Sequence, residues 1–128
     1  FFASGSPFPD YNKNGMSFVP SQANNSWIFP GVGYALLNVG ARHCPGKVFE
    51  IAAEALAAQV KKEDLDRGSL LPPMENIRDY SFGISLKVAE YLYKEELATV
   101  KIPTDMTLES YLRSRLFNPS ANYGEQLY

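Results

Sequence analysis

Over residues 45–61 the apolar side chains Val48, Phe49, Ala52, Ala53, Leu56, Ala57 and Val60 recur every three or four positions. That spacing lays a stripe along one face of a helix, so a helix is predicted there. The same period runs through Val32, Ala35, Leu36 and Val39, after Trp27-Ile28-Phe29-Pro30-Gly31. Pro30 suits the first turn of that helix, where no amide donor is needed. A third helix is predicted over about residues 79–96, with Ile84, Val88, Ala89, Leu92 and, further round, Tyr91 packing against the second. Beyond the break at Pro103, a fourth is predicted over 108–116, with Thr107 as its N-cap. The charged stretch 62–71 reads as a turn around a short helix over 63–67 that Gly68 closes, and Pro72-Pro73 forbids its continuation.

The first nineteen residues carry no such period. Pro7, Pro9, Asn12, Asn14 and Gly15 punctuate them, leaving a short strand at Phe1-Phe2-Ala3 and a second extended piece at Met16-Ser17-Phe18-Val19. A strand pair alone is marginal and needs a neighbouring sheet to rest on. A polar turn, Ser21-Gln22-Ala23-Asn24-Asn25, precedes the first helix, and residues 117–128 read as irregular. The segment is therefore expected to be mostly α with one or two short strands.

A chain of 128 residues with 45% hydrophobic content can bury one modest core. Twelve basic and fourteen acidic residues give a formal net charge of −2 with no run of five like charges, which argues against nucleic acid and anionic membrane as partners. The longest mostly apolar stretch, 27–39, is broken by Pro30, Gly31, Gly33 and Asn38 and is too short to span a bilayer. The single cysteine, Cys44, has no partner for an internal disulfide and fits a reducing, intracellular compartment, the cytoplasm or an organelle such as the mitochondrion. The abrupt start at Phe1-Phe2-Ala3, without an initiator Met, is expected of a piece of something larger.

Read as chemistry, the inventory is short. His43 beside Cys44 is a thiol–imidazole pair on paper, but adjacent residues at a helix end point in different directions. Glu50 and Glu54 read as the solvated face of their helix rather than as metal ligands. Gly31-Val32-Gly33 lacks the third glycine of a dinucleotide fingerprint, and Tyr80, Tyr91 and Tyr93 lack the interleaved basic residues of a nucleic-acid platform. Asn24 and Asn25, close to a helix N-terminus, are the exception. Paired carboxamides there can hold a carboxylate without fixing a full counter-charge. The same residues also suit a turn that satisfies its own backbone.

Four collinear segments resemble the malic enzyme family. They are Phe2-Ala3-Ser4-Gly5-Ser6-Pro7-Phe8; Val19-Pro20-Ser21-Gln22-Ala23-Asn24-Asn25 with Ile28-Phe29-Pro30-Gly31 and Ala41-Arg42-His43; Phe49 with Ala52-Ala53-Glu54-Ala55-Leu56-Ala57; and Leu71-Pro72-Pro73 with Ile77-Arg78 and Ser81. The resemblance covers residues 1–98. It implies a parent enzyme, α/β and Rossmann-type, that oxidises (S)-malate with NAD or NADP and Mg²⁺ or Mn²⁺, releases pyruvate and CO₂, and forms a homo-oligomer. It places residues 1–24 at the end of the nucleotide-binding domain, 25–98 in a helical return into the catalytic domain and 99–128 in a small C-terminal domain. Asn24 and Asn25 match the family's malate-contacting asparagines, and Ser4, Gly5 and Ser6 a strand-end loop on the nicotinamide side.

The resemblance also implies what this segment lacks. The family's catalytic tyrosine and lysine, its three acidic metal ligands, its malate-binding arginine and its glycine-rich fingerprint lie upstream. Lys47, Lys61, Lys62 and Lys87 match no catalytic position. The isolated chain is therefore expected to have no catalytic or metal-ligating residue, to bind no cofactor alone, and to be inactive without the remainder of the enzyme. Ser21 and Ala23 depart from the pattern, which has glycines around the glutamine, and are expected to shift the loop that carries Asn24. The competing expectation is a free-standing helical interaction module using Val48, Phe49, Ala52 and Leu56 as a partner groove.

Overall fold

The computed structural model describes residues 1–118. The elements run β1 (Ala3–Ser4), β2 (Tyr11–Lys13), β3 (Met16–Phe18), β4 (Ser21–Gln22), a 3-10 turn (Asn25–Trp27), α1 (Phe29–Asn38), α2 (Lys47–Ala57), α3 (Lys62–Asp66), a second 3-10 turn (Met74–Asn76), α4 (Ile77–Lys94) and α5 (Leu108–Ser114). The described part is thus mostly helical with short strands.

Helix α4 is the centre of the packing and lies against α1, α2 and α5. Its buried Phe82, Ile84, Val88, Ala89 and Leu92 meet Val32, Ala35 and Val39 from the α1 region, Val48, Ala52 and Leu56 of α2, and Leu112 of α5. Full burial of each larger aliphatic side chain among these contributes roughly 1.5–3 kcal/mol. The apolar stripe of α2 is therefore spent on the core. Of the four residues expected to form a partner groove, Val48, Ala52 and Leu56 are buried and only Phe49 is exposed, so the interaction-module reading loses its surface.

The helix ends are set by local chemistry. Thr107 caps α5, its hydroxyl accepting from the Ser110 amide at 3.0 Å. Glu96, at φ 57°, ends α4 in the left-handed region, with Leu97 N donating to Leu92 O (2.8 Å) and Glu96 N to Tyr93 O (3.1 Å). Helix α2 stops at Ala57, short of its apolar period, and Lys61 is extended (ψ 156°) as it opens α3.

The strands differ most from expectation. Met16–Phe18 pairs antiparallel with Tyr11–Lys13, across a two-residue turn in which Asn14 (φ 52°) and Gly15 (φ 75°) are both left-handed. An Asn-Gly pair between short extended segments is the signal for such a hairpin. The first strand falls at Ala3–Ser4 rather than Phe1-Phe2-Ala3, and its parallel partner is Ser21–Gln22, the start of what reads as a polar turn. Of the segment expected to be irregular, 117–128, residues 119–128 lie outside the described residues. No helix of the described residues is long and apolar enough to cross a membrane.

Candidate functional site

Strands β1 and β4 pair in parallel, Ala3 with Ser21 and Ser4 with Gln22. Ser21 N donates to Phe2 O at 3.0 Å and Ala23 N to Ser4 O at 2.8 Å. Parallel strands end on the same side, so the chain leaves β1 through Gly5-Ser6 and β4 through Ala23-Asn24-Asn25 at one edge. The Gln22 amide stitches the two exits by donating from Nε2 to Gly5 O at 3.3 Å. Carboxyl ends of parallel strands are where open α/β sheets place ligands. The structure thus brings together the two segments singled out in the sequence.

Asn24 caps the 3-10 turn that follows. Its Oδ1 accepts from Ser26 N at 2.9 Å, which fixes the carboxamide with its oxygen turned inward. Asn24 is exposed, and its Nδ2 group, two N–H donors, makes no hydrogen bond among the described residues. Asn25 is exposed, and its side chain has no hydrogen-bond partner among the described residues. Ser26 N, Trp27 N and Ile28 N bond to Asn24 Oδ1, Asn24 O and Asn25 O, so the amides directly behind the pair are already used. These three amides of the 3-10 turn are therefore not free donors.

The turn is held from beneath. Trp27 is 4% exposed, donates its indole N–H to Gln22 O at 3.2 Å and lies beside Tyr80 with ring centroids 6.3 Å apart. Asn24, Trp27, Ile28, Leu56, Leu70 and Leu71 border a groove of about 340 Å³, and no acidic or basic side chain lines it. In such an apolar setting a few neutral donors set the orientation of a bound carboxylate.

Ser21 and Ala23 do not shift the turn through strain. Among the described non-glycine residues, positive φ occurs at Asn14 and Glu96 only, so both positions have backbone that an L-residue adopts freely. The Ser21 hydroxyl is buried and accepts from Leu70 N at 2.7 Å. Ser21, Trp27 and Ser69, three residues that shape the site, carry no functional signal in the sequence.

At the other strand end, Ser4 Oγ accepts from Ser6 N at 3.3 Å, and Gly5 and Ser6 are exposed. A Cβ on Gly5 would meet nothing within 4 Å, so this glycine is not required by a close neighbour among the described residues. For a divalent metal the residues do not fit, because no group of three or more His, Cys, Asp or Glu converges among the described residues.

The remaining candidates settle into structural places. His43 and Cys44 are both exposed between α1 and α2, with no hydrogen bond joining them. Glu50 pairs with Lys47 at 2.6 Å on the solvated face, a contact that holds the Lys47 pKa above its usual value. Gly31 is a packing residue, since a Cβ there would stand 2.7 Å from Ser81 O. Tyr80, Tyr91 and Tyr93 are half-buried against the core. Burial also raises the phenol pKa of Tyr34 and Tyr93, whose hydroxyls donate to Leu112 O (2.7 Å) and Val100 O (2.9 Å).

A family model described as "Malic enzyme, NAD binding domain" matches residues 1–93. The chain is 40% identical over 119 residues to the human "NADP-dependent malic enzyme, mitochondrial", covering 92% of this chain and 20% of that protein. It is 44% identical over 118 residues to the Vitis vinifera NADP-dependent malic enzyme, with the same coverage, and 40% identical over 127 residues to that of Rattus norvegicus, covering 98% of this chain and 22% of the relative. The chain spans about a fifth of the length of the curated relatives it matches.

Proposed function

Because the chain belongs to the malic enzyme family, we propose that it supplies the substrate-facing turn of an NAD(P)-dependent malic enzyme, with Asn24 and Asn25 holding a carboxylate of (S)-malate. The observation that carries this is the cap at Asn24. With Oδ1 engaged by Ser26 N, the Nδ2 donors of Asn24 have no partner among the described residues, nor does the carboxamide of the next residue, Asn25, and both residues are exposed. Both donors are neutral. They orient an anion whose charge falls as CO₂ leaves, without the stronger hold that a fixed cation would exert on the ground state.

Ser4, Gly5 and Ser6 flank the nicotinamide side in this reading, one strand away. When bound there, the cofactor accepts the hydride lost by malate. This chain's own residues bind, orient and wall off the substrate. Proton transfer and metal coordination are assigned to the remainder of the enzyme, so the isolated chain is inactive. The relatives' names favour NADP as the dinucleotide. Residues 1–24 close the nucleotide-binding domain, 25–98 return into the catalytic domain and 99–128 belong to a small C-terminal domain. The exposure of Phe1, Phe2, Phe8, Tyr11, Met16 and Phe18, from 41% to 83%, supports a neighbouring sheet as their partner. The enzyme is placed inside the cell, in the cytoplasm or a mitochondrion, as a homo-oligomer.

The test is the whole enzyme with malate, Mn²⁺ and either nucleotide. Pyruvate is the expected product, and no turnover with either nucleotide overturns the reading. In the same enzyme Asn25→Ala is expected to raise KM for malate or lower kcat, as loss of a carboxylate donor requires. Unchanged kinetics would return the pair to a turn-forming role.

A further inference from the structure

We propose that Ser21 and Ser69 form a hydroxyl pair that positions the asparagine turn, an inference that rests on the malate-binding reading above. Ser21 Oγ lies 3.1 Å from Ser69 Oγ, and the two residues, 48 positions apart in sequence, are 5% and 8% exposed. Leu70 N donates to Ser21 Oγ at 2.7 Å, and Ser69 Oγ donates to Leu71 O at 2.8 Å. Ser69 has committed its only proton to Leu71, so the hydrogen between the two hydroxyls belongs to Ser21. The bonds therefore run one way, from Leu70 N–H through Ser21 and Ser69 to Leu71 O. Each hydroxyl both donates and accepts, and such chains reinforce themselves in a buried setting.

The pair joins two walls of one groove. Ser21 sits three residues before Asn24 on β4, where Ser21 N and Ala23 N are both bonded to β1. Leu70 and Leu71 line the same groove as Asn24. That wall is itself rigid up to this point. Gly68, at φ 84°, closes α3 with Gly68 N on Leu65 O and Ser69 N on Asp64 O, both at 2.9 Å, and this delivers Ser69 to Ser21. Val19 N also donates to Arg67 O at 2.8 Å just before the pair, so the hydroxyls act as the local fastening that sets Leu70 and Leu71 against the strand leading to Asn24, and their loss loosens that fastening.

The experiment compares Ser21→Ala, Ser69→Ala and the double variant in the full-length enzyme, with Asn25→Ala in parallel. Each serine variant is expected to raise KM for malate roughly three- to tenfold, the equivalent of one hydrogen bond, with kcat and KM for the dinucleotide nearly unchanged. The double variant is expected to match the single ones, because the pair acts as a unit. Ser69→Thr, which keeps a hydroxyl, is expected to restore the malate KM. A lower melting temperature with an unaltered malate KM, equal shifts in both KM values, or no recovery by threonine overturns the proposal. If Asn25→Ala weakens malate and the serine variants do not, the positioning role alone fails. If Asn25→Ala has no effect, the malate-binding reading fails and takes the positioning role with it.

Discussion

Gly31 of α1 packs so closely on Ile84 of α4 that a Cβ on Gly31 would stand 2.8 Å from the Ile84 Cβ. The Ser81 carbonyl is as near, at 2.7 Å, so neither neighbour is the free end of a flexible side chain. Alanine in place of a helical glycine gains up to about 1 kcal/mol, the full value applying to a helix interior and Gly31 standing in the first turn of α1. Overpacking against a fixed neighbour costs about 1–3 kcal/mol, and here that cost dominates. Gly31→Ala is expected to lower stability by about 1–2 kcal/mol, read from urea unfolding. A stabilised variant would show that the two helices separate without cost.

Asn24 has two separable duties, an acceptor for its own turn and a donor to the groove. Aspartate is as good an N-cap as asparagine, whereas losing the cap to alanine costs about 0.5–2 kcal/mol. Asn24→Asp is thus expected to keep the melting temperature and weaken malate binding, since it keeps the acceptor and replaces the donor with a negative charge. Asn24→Ala is expected to lose both. If Asn24→Asp binds malate as well as the parent does, the asparagine serves only the turn.

Trp27 fastens the turn to β4 through its bond to Gln22 O. Trp27→Phe removes that donor and leaves a small void in a buried site, for an expected loss of about 1–3 kcal/mol. Far more than the void is at stake if the malate KM also rises, because Gln22 links both strand ends. An unchanged denaturation midpoint would show that the indole bond contributes nothing.

Tyr34 and Tyr93 make stability fall at high pH. Burial raises both pKa values above 10.0, so the folded chain holds these protons more tightly than the unfolded chain does. The stabilisation is complete below about pH 10 and is lost as pH rises through the folded values. Ionisation would also set a phenolate against the Leu112 or Val100 carbonyl that each hydroxyl now serves. Melting temperatures recorded from pH 8 to 11 are expected to drop at the alkaline end, and to drop less for Tyr34→Phe. Equal slopes for the parent and the variant would remove Tyr34 as a cause.

Helices α1, α2, α4 and α5 were legible in the sequence because their evidence is local. Apolar residues three and four apart share a face, and the Thr107 cap and the Gly68 stop act within a turn of their own helix. The collinear motifs likewise pointed to the family. Tertiary structure alone decided the parallel pairing of Ala3–Ser4 with Ser21–Gln22, because two-residue strands have no period and their bonds close a loop through the intervening hairpin. It also decided which end of the Asn24 carboxamide is engaged, a choice made by the Ser26 amide. Last, it converted Ser21 from an irregularity in a glycine pattern into a buried contact with Ser69. Nothing in either residue's neighbourhood announces a partner 48 positions away. Such contacts are selected by which polar groups the folded chain must bury together, and that is settled only when the whole chain packs.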